Sequence, residues 1–331
     1  MNNNIIEIGY MGKLKLTHGY QAANKFLEEF EAKRKGSAKL KDEGYHSHDA
    51  VVEAIMNEEI ELGVIAIENS YEGMVADSAR LLRDNMSEIR IVCELRIPIK
   101  HYLVTRCNDN EQIKKIYSHP VAYGQCKSKI EQLLKLEGNY FDAQVSTEQA
   151  AIKMLENKEN GAAIVTKEAA SQCNYYQGID TDGLRTIESG DKIADITNLC
   201  TRFLVLEKHS RAEEKLGITT PISALFGEDK RATVVFTLNK TKSGELFRVL
   251  NCLGVSQIPV AYIFPCPIKN CDFEYNFLVD CDLYSADSKG KVINKTEDFL
   301  HAIQLYNNHT ETTHPSASLG KYPILDFCNN S

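Results

Sequence analysis

The chain has 331 residues, enough for about two or three domains at roughly 100–200 residues each. Hydrophobic residues make up 43% and charged residues 25%, ordinary globular values that exclude a collagen, a coiled coil and a disordered chain. A formal charge of −8 argues against a nucleic-acid coat or a membrane-surface protein, though not against a local basic pocket, and no apolar run approaches the ~20 residues of a membrane span. The first residues carry neither the charged nor the apolar region of a secretory signal. The expectation is therefore a cytoplasmic protein with no nucleic-acid or membrane partner. The ten cysteines contain no CxxC pair and are expected to be reduced thiols. Cys126, Cys173 and Cys252 read as small apolar groups in helices. His46 and His48 have no fourth ligand in view, so no metal is expected there.

Residues 5–10 read as a short buried strand, and apolar residues near helical spacing predict a helix over 20–30. The stretch 33–44 is polar and rich in Lys and Gly, and reads as a surface loop. Asp49 is placed to cap a helix running to Met56. The near-continuous apolar run 62–67 predicts a strand covered on both faces. A helix follows over 74–82 and a long β-like stretch over 89–104. The grammar then repeats. A strand at 116–117 leads to a helix over 120–134, with Pro120 suited to its first turn. A strand over 141–145 precedes a helix over 148–155, capped by Ser146 or Thr147. A strand over 162–165, a short helix over 167–172 and a strand over 201–206 complete the series. Strands alternating with helices predict parallel sheets with helices on both faces.

Residues 207–230 are polar, contain Gly217, Pro221 and Gly227, and read as a linker. Beyond it come a strand over 232–238, a helix over 244–253, strands over 255–263 and 273–280, a helix over 296–306 and a last strand near 318–325. This βαββαβ order suits a small ferredoxin-like domain with a regulatory or dimerising role.

Polar clusters stand at strand ends, where open α/β sheets bind ligands. Glu68-Asn69-Ser70-Tyr71-Glu72-Gly73 follows one strand. Ser118-His119-Pro120 leads into a helix that carries Gln125. Thr201-Arg202-Phe203 heads a strand after Asn198. Each alone reads as a turn, a helix cap or a surface ion pair. Together they describe a cleft rich in hydroxyl, amide and guanidinium groups, suited to a small polar anion. Arg can clasp a carboxylate bidentately, and helix N-termini after Asn69, His119 and Ser146 would add N–H donors. No GxGxxG, GxSxG or HExxH motif is present.

In this order the clusters resemble the prephenate dehydratase family. Its IENS element stands as Ile67-Glu68-Asn69-Ser70, continuing to Gly73-Met74-Val75 and Leu81-Leu82. Its SHP element stands as Ser118-His119-Pro120, continuing to Gln125-Cys126. Its ST-x-x-A element stands as Ser146-Thr147-Glu148-Gln149-Ala150. Its TRF element stands as Thr201-Arg202-Phe203, with Asp195 upstream, and its LGxYP element as Leu319-Gly320-Lys321-Tyr322-Pro323. The resemblance implies two α/β subdomains with a cleft between them, a plan also seen in periplasmic-binding-protein-like folds, followed by a ferredoxin-like ACT domain that senses phenylalanine. It divides the chain into a catalytic domain over 1–206 (subdomains about 1–104 with 190–206, and 105–189), a linker over 207–230 and an ACT-like domain over 231–325. It implies the cofactor-free decarboxylating dehydration of prephenate to phenylpyruvate by a homodimer or homotetramer, and no metal. Thr201 would serve the leaving hydroxyl, Arg202 would hold or organise a carboxylate, and Phe203 would shape an apolar wall. Asn69, Ser70, Ser146 and Thr147 would donate to the substrate, and Ser118, His119 and Gln125 would shape the facing wall.

Three departures stand out. The family's GPxGTFSxxAA loop is replaced by residues 12–23, where Thr17 would substitute for a lost hydroxyl and Lys13 or Lys15 could reach an anion. The phenylalanine-sensing GAL and ESRP elements stand as Gly244-Glu245-Leu246-Phe247 and Phe264-Pro265-Cys266-Pro267, without the Glu, Ser and Arg of ESRP. Weak or absent phenylalanine inhibition follows. Val121 and Ala66 replace a glutamine and a proline, both as packing changes. The altered first loop keeps open an enzyme acting on arogenate or decarboxylating prephenate without aromatising it. A non-catalytic anion or amino-acid sensor is the remaining reading.

Overall fold

The computed structural model describes residues 5–12, 17–33, 38–136, 138–157, 160–167, 170, 184–209, 222–238, 243–268, 274–286, 290–309 and 317–328. Lys13, Lys15, Cys173, Cys271, most of the expected helix 167–172 and residues 210–221 of the expected linker lie outside them.

The first lobe contains β1 (Ile6–Tyr10), α1 (His18–Lys33), β2 (Ala38–Leu40), α2 (His48–Met56), β3 (Leu62–Asn69), β4 (Gly73–Met74), α3 (Ala76–Asp84) and β5 (Ile89–Pro98). The second contains β6 (Tyr102–Thr105), β7 (Lys115–Ser118), α4 (Pro120–Gly124), α5 (Lys127–Leu134), β8 (Phe141–Ala143), α6 (Thr147–Glu156), β9 (Gly161–Val165) and β10 (Arg185–Ser189). β11 (Cys200–Lys208) returns to the first lobe. The C-terminal unit contains β12 (Arg231–Thr237), α7 (Glu245–Val255), β13 (Val260–Pro267), β14 (Tyr275–Asp282), β15 (Tyr284–Ala286), β16 (Val292–Asn294), α8 (Thr296–His309) and β17 (Ala317–Tyr322); β18 (Ile324–Asp326) follows.

The first sheet is ordered β18-β5-β11-β3-β1-β2, with β4 folded back on β3; the second is ordered β10-β6-β9-β7-β8. Neither is the parallel sheet expected from strand–helix alternation. β11 runs antiparallel to both β3 and β5, and β6 antiparallel to β9 and β10. Alternation fixes direction only where a helix joins neighbouring strands, and β11 arrives from the other lobe.

Other expectations shift for local reasons. Ala38–Leu40, inside the expected loop, pairs with β1 as an edge strand too short to show a period. The α2 cap is Ser47, whose Oγ accepts from Ala50 N at 3.1 Å, so Asp49 lies inside the first turn. The expected helix 120–134 breaks at Gln125 and Cys126, because Asp195 caps a new start by accepting from Ser128 N at 2.8 Å and Lys129 N at 2.9 Å. The expected strand 89–104 is two strands in different sheets, and β10 was not foreseen.

Two cores cover the faces of the first sheet. On one face α1 places Ala22, Ala23, Phe26 and Phe30 against Ile8, Val64 and Phe203. Burying each phenylalanine contributes roughly 1.5–3 kcal/mol. Ile222 and Phe226, at the end of the expected linker, join this core, with the Phe26 and Phe226 rings 5.3 Å apart. On the other face α2 and α3 pack with Val235, Leu278, Leu319 and Tyr322 of the C-terminal sheet.

That C-terminal sheet is antiparallel and ordered β13-β14-β12-β17, with α7 and α8 on its far face. This is the expected ferredoxin-like βαββαβ unit, with a β15–β16 hairpin added. The expected last strand near 318–325 is divided at Pro323. β17 stays in the C-terminal sheet, while β18 pairs in parallel with β5 and so belongs to the first sheet. None of the eight described cysteines is disulfide-bonded. Among the described residues no helix is long and apolar enough to cross a membrane.

Candidate active site

Two crossings join the lobes. Ile99 N donates to Leu199 O, and Gly190 N donates to His101 O, both at 2.8 Å. Asn198 supplies the left-handed turn before β11, at φ 60°. The hairpin loop of the first lobe and the α4 segment of the second lie face to face here. The Tyr71 hydroxyl lies 3.9 Å from the position a Cβ on Gly124 would take, and Glu72 and His119 are close enough to interact electrostatically.

Thr201 stands where β11 enters this region, buried and directly opposite Asn69 in the strand register. The Asn69 side chain is oriented by its own backbone. Its Oδ1 accepts from Tyr71 N at 2.8 Å and Glu72 N at 3.2 Å, so Nδ2 must point the other way. There it donates to Thr201 Oγ1 at 3.2 Å. With its oxygen accepting from Asn69, the threonine hydroxyl has its proton to offer to a third group. Ser70 ties the same loop to β11, accepting from Cys200 N with Oγ and donating its own N–H to Cys200 O, both at 2.9 Å.

Strand alternation sends Arg202 to the opposite face from Thr201 and Phe203. Phe203 is buried in the α1 core, so the apolar wall it forms is a core wall. The carboxylates that Arg202 holds are the protein's own. It donates to Glu68, to Glu94 Oε2 at 2.8 Å and to Asp280 Oδ2 at 2.7 Å. Arg231 and Arg96 also donate to Glu94, at 3.3 and 2.9 Å. Burial alone would lower the Arg202 pKa, but Glu94 and Asp280 reverse this and hold the guanidinium firmly charged. Burial would likewise raise the Glu94 pKa, and Arg202 and Arg231 pull it below the usual value instead. The cation expected to grip a ligand thus sits in a buried ion cluster behind the site.

The residues expected in the facing wall lie in the second lobe. Ser118 is buried, and its Oγ donates to His119 O at 3.0 Å. His119 caps α4, its Nδ1 accepting from Val121 N at 3.3 Å, and burial lowers its pKa. Gln125 is buried, with Oε1 2.7 Å from His101 Nε2 and its Nε2 without a partner among the described residues. His101, not singled out from the sequence, is 2% exposed; burial pushes its pKa down to about 4, although Gln125 acts in the opposite sense. It is therefore neutral near pH 7, with Nε2 placed to donate to Gln125. Because the unfolded imidazole titrates near 6.5, the unfolded chain binds the extra proton first as pH falls from about 6.5 to about 4. The His101 contribution is complete above that window and is lost within it. His101→Gln is expected to remove roughly 3 kcal/mol of the acid-dependent loss of stability, measured as urea midpoints between pH 7 and pH 4.

Thr17, Ser146 and Thr147 are placed less directly. Thr17 Oγ1 donates to Met11 O at 3.1 Å and accepts from Tyr20 N at 3.2 Å, closing the start of α1. The loop's replacement hydroxyl is thus engaged locally. Ser146 caps α6, accepting from Gln149 N at 3.0 Å, and Thr147 is the half-buried first residue of that helix. The loop before it is tied to Ser118, whose carbonyl accepts from Gln144 N at 2.9 Å.

A family model for prephenate dehydratase matches residues 8–211. The chain belongs to the prephenate dehydratase family. It is 29% identical over 266 residues to a prephenate dehydratase of Methanocaldococcus jannaschii, covering 80% of this chain and 82% of that one. It is 26% identical over 311 residues to a bifunctional chorismate mutase/prephenate dehydratase of Aquifex aeolicus, covering 91% of this chain and 73% of that one. In fold it is similar to a prephenate dehydratase of Arthrobacter aurescens solved with L-Phe, at a TM-score of 0.67 and 20% identity over 96% of this chain and 90% of that chain.

The segments expected to stand for the sensor elements have structural roles here. Gly244 takes φ 81° as the α7 cap, the buried Glu245 accepts from Arg248 at 3.0 Å, and Leu246 is half-buried. Phe264 packs into the core shared with α3, Pro265 lies exposed on the edge strand β13, Cys266 is buried 3.9 Å from Ala79 O, and Pro267 O accepts from Arg83. The segment standing for ESRP is thus docked on α3. Besides His101, Glu94 and Asp280 were missed from the sequence. Neither carries a local signal, because each is tied to Arg202 only by the folding of distant segments.

Proposed function

We propose that the chain converts prephenate to phenylpyruvate, carbon dioxide and water, with Thr201 as the donor to the departing hydroxyl. The observation that carries this reading is the Asn69–Thr201 pair. The substrate's ring carboxylate leaves as carbon dioxide, and the electron pair of that bond enters the ring. The ring C–O bond breaks at the far side and the hydroxyl departs with one proton, leaving an aromatic ring. Thr201 stabilises the departing oxygen through a hydrogen bond that strengthens as negative charge develops there. The Asn69 amide stabilises the charge that reaches Oγ1, and the consumed proton is restored from solvent. No cofactor enters this scheme.

Ser118, His119 and Gln125 are proposed as the facing wall, and Ser70, Ser146 and Thr147 as donors to the carboxylates. Thr17 closes the altered loop in place of the family's hydroxyl. The reading extends to a cytoplasmic homodimer or homotetramer. The exposed Phe247, Leu250 and Val255 along α7 support association through the C-terminal unit. That unit is proposed as an ACT-like domain over residues 231–322 with little or no phenylalanine response, consistent with the docked 264–267 segment.

Arogenate is the second reading, favoured by the altered loop around residues 12–20. Separate incubation with prephenate and arogenate near neutral pH, beside no-enzyme controls, decides between them. The expected result is phenylpyruvate formation with a kcat/KM at least about tenfold above that for arogenate, a difference of about 1.4 kcal/mol in transition-state binding. A preference for arogenate would replace the first reading with the second.

A further inference from the structure

Thr201 and Arg202 are adjacent on β11, and Asn69 and Glu68 are adjacent on β3. The strands pair Thr201 with Asn69 and Arg202 with Glu68. One face of this short ladder carries the Asn69–Thr201 hydrogen bond and the other the Arg202–Glu68 ion pair. The position of the threonine hydroxyl is therefore tied to the position of the guanidinium behind it.

Three carboxylates hold that guanidinium, and two belong to the same sheet as Thr201. The third, Asp280, comes from β14 of the C-terminal unit, 78 residues further along the chain. It is 2% exposed. It is also fixed from behind. Its second oxygen accepts from Thr233 Oγ1 at 2.7 Å, and Thr233 lies 2.7 Å from the buried Tyr322 hydroxyl. Alternation on β14 places Leu278 and Asp280 toward the first lobe, and Val279 and Cys281 toward α7 and α8. Beside the apolar interface around Leu278, Leu319 and Tyr322, the Glu94 and Asp280 side chains are 0% and 3% exposed, so their charges act at short range in a medium that screens them poorly.

We propose that Asp280 is a positioning residue for the dehydration: through Arg202 it fixes the head of β11 and so the aim of the Thr201 hydroxyl. Docking of the C-terminal unit then completes the catalytic geometry as well as burying apolar surface. This inference rests on the reading of Thr201 as donor to the leaving hydroxyl. Asp280 touches no reacting atom in this scheme. Its removal acts by misplacement, and a shift of about 1 Å in such a group can cost on the order of a hundredfold in rate.

The test is a double-mutant cycle on the full chain with prephenate as substrate. Asp280→Asn is expected to lower kcat by about tenfold to a hundredfold with KM within about threefold, and Asp280→Glu to recover part of the loss. In a Thr201→Val background, where there is no hydroxyl to aim, Asp280→Asn is expected to change the residual kcat by less than about threefold. Thr233→Val, which removes the support of Asp280 but leaves its contact with Arg202, should lower kcat by less than Asp280→Asn does. Circular dichroism and melting curves verify folding. Should Asp280→Asn not fold, Asp280→Glu carries the same cycle. An equal loss in both backgrounds would reduce Asp280 to a structural role, and an unchanged kcat in Asp280→Asn would overturn the proposal. Inactive wild-type protein would overturn the dehydratase reading itself, a different result from active wild type with an undisturbed variant.

Discussion

Thr201→Val is expected to lower kcat for prephenate by about a hundredfold to a thousandfold while leaving KM within about threefold. The hydroxyl is invoked only as charge develops on the departing oxygen, so its loss raises the barrier without weakening ground-state binding. The magnitude corresponds to roughly 2.7–4 kcal/mol, the usual loss for one preorganised donor to a developing oxyanion. Thr201→Ser keeps the hydroxyl and should retain most of the activity. Steady-state kinetics with a no-enzyme control, needed because prephenate decays in acid, make the comparison. A valine variant within tenfold of wild type would remove Thr201 from the chemistry.

Glu94→Gln should be among the most destabilising polar substitutions in the protein. The carboxylate is fully buried and accepts from Arg202, Arg96 and Arg231. A neutral amide leaves the largely buried Arg202 and Arg231 guanidinium groups with less compensating charge. Removing one partner of a buried ion pair typically costs about 3–5 kcal/mol. In a chain of this size that is a downward shift on the order of 10 °C in the first thermal transition. The exposed pair Lys25–Glu28 provides the contrast, since Glu28→Gln should cost less than about 1 kcal/mol. The difference between the two substitutions depends on desolvation, not on the number of ion pairs each breaks. Equal shifts would contradict the picture of a dry cluster.

The sequence was most informative where chemistry follows from neighbouring residues. The apolar run of β3 and the clusters ending in Asn69, His119 and Thr201 could be read directly, because strands, turns and caps are short-range features. The α/β alternation and the βαββαβ unit followed from the order of elements, and the two-lobed plan from the family resemblance. Direction did not: nothing near residue 200 records that β11 reaches its place from the other lobe and runs antiparallel. β2 and β18 are three-residue edge strands, too short to impose a period. The helix break at Gln125 depends on Asp195, which is distant in sequence and caps α5. Arg202 shows the same limit most clearly. Its adjacency to Thr201 suggested a hand for a substrate carboxylate, but strand alternation turns it to the other face, where Glu94 and Asp280 occupy it. Such partners are specified by domain packing, which no local pattern encodes.

The most direct test is a crystal structure of the Thr201→Ala variant soaked with prephenate. Loss of the hydroxyl should slow turnover enough to trap the substrate. The ring hydroxyl oxygen is expected within hydrogen-bond reach of the position left by Thr201 Oγ1, on the Asn69 side of the cleft, with Arg202 still bound to Glu94 and Asp280. A ring hydroxyl directed at His119 or His101, or Arg202 released from its cluster to hold a substrate carboxylate, would contradict it.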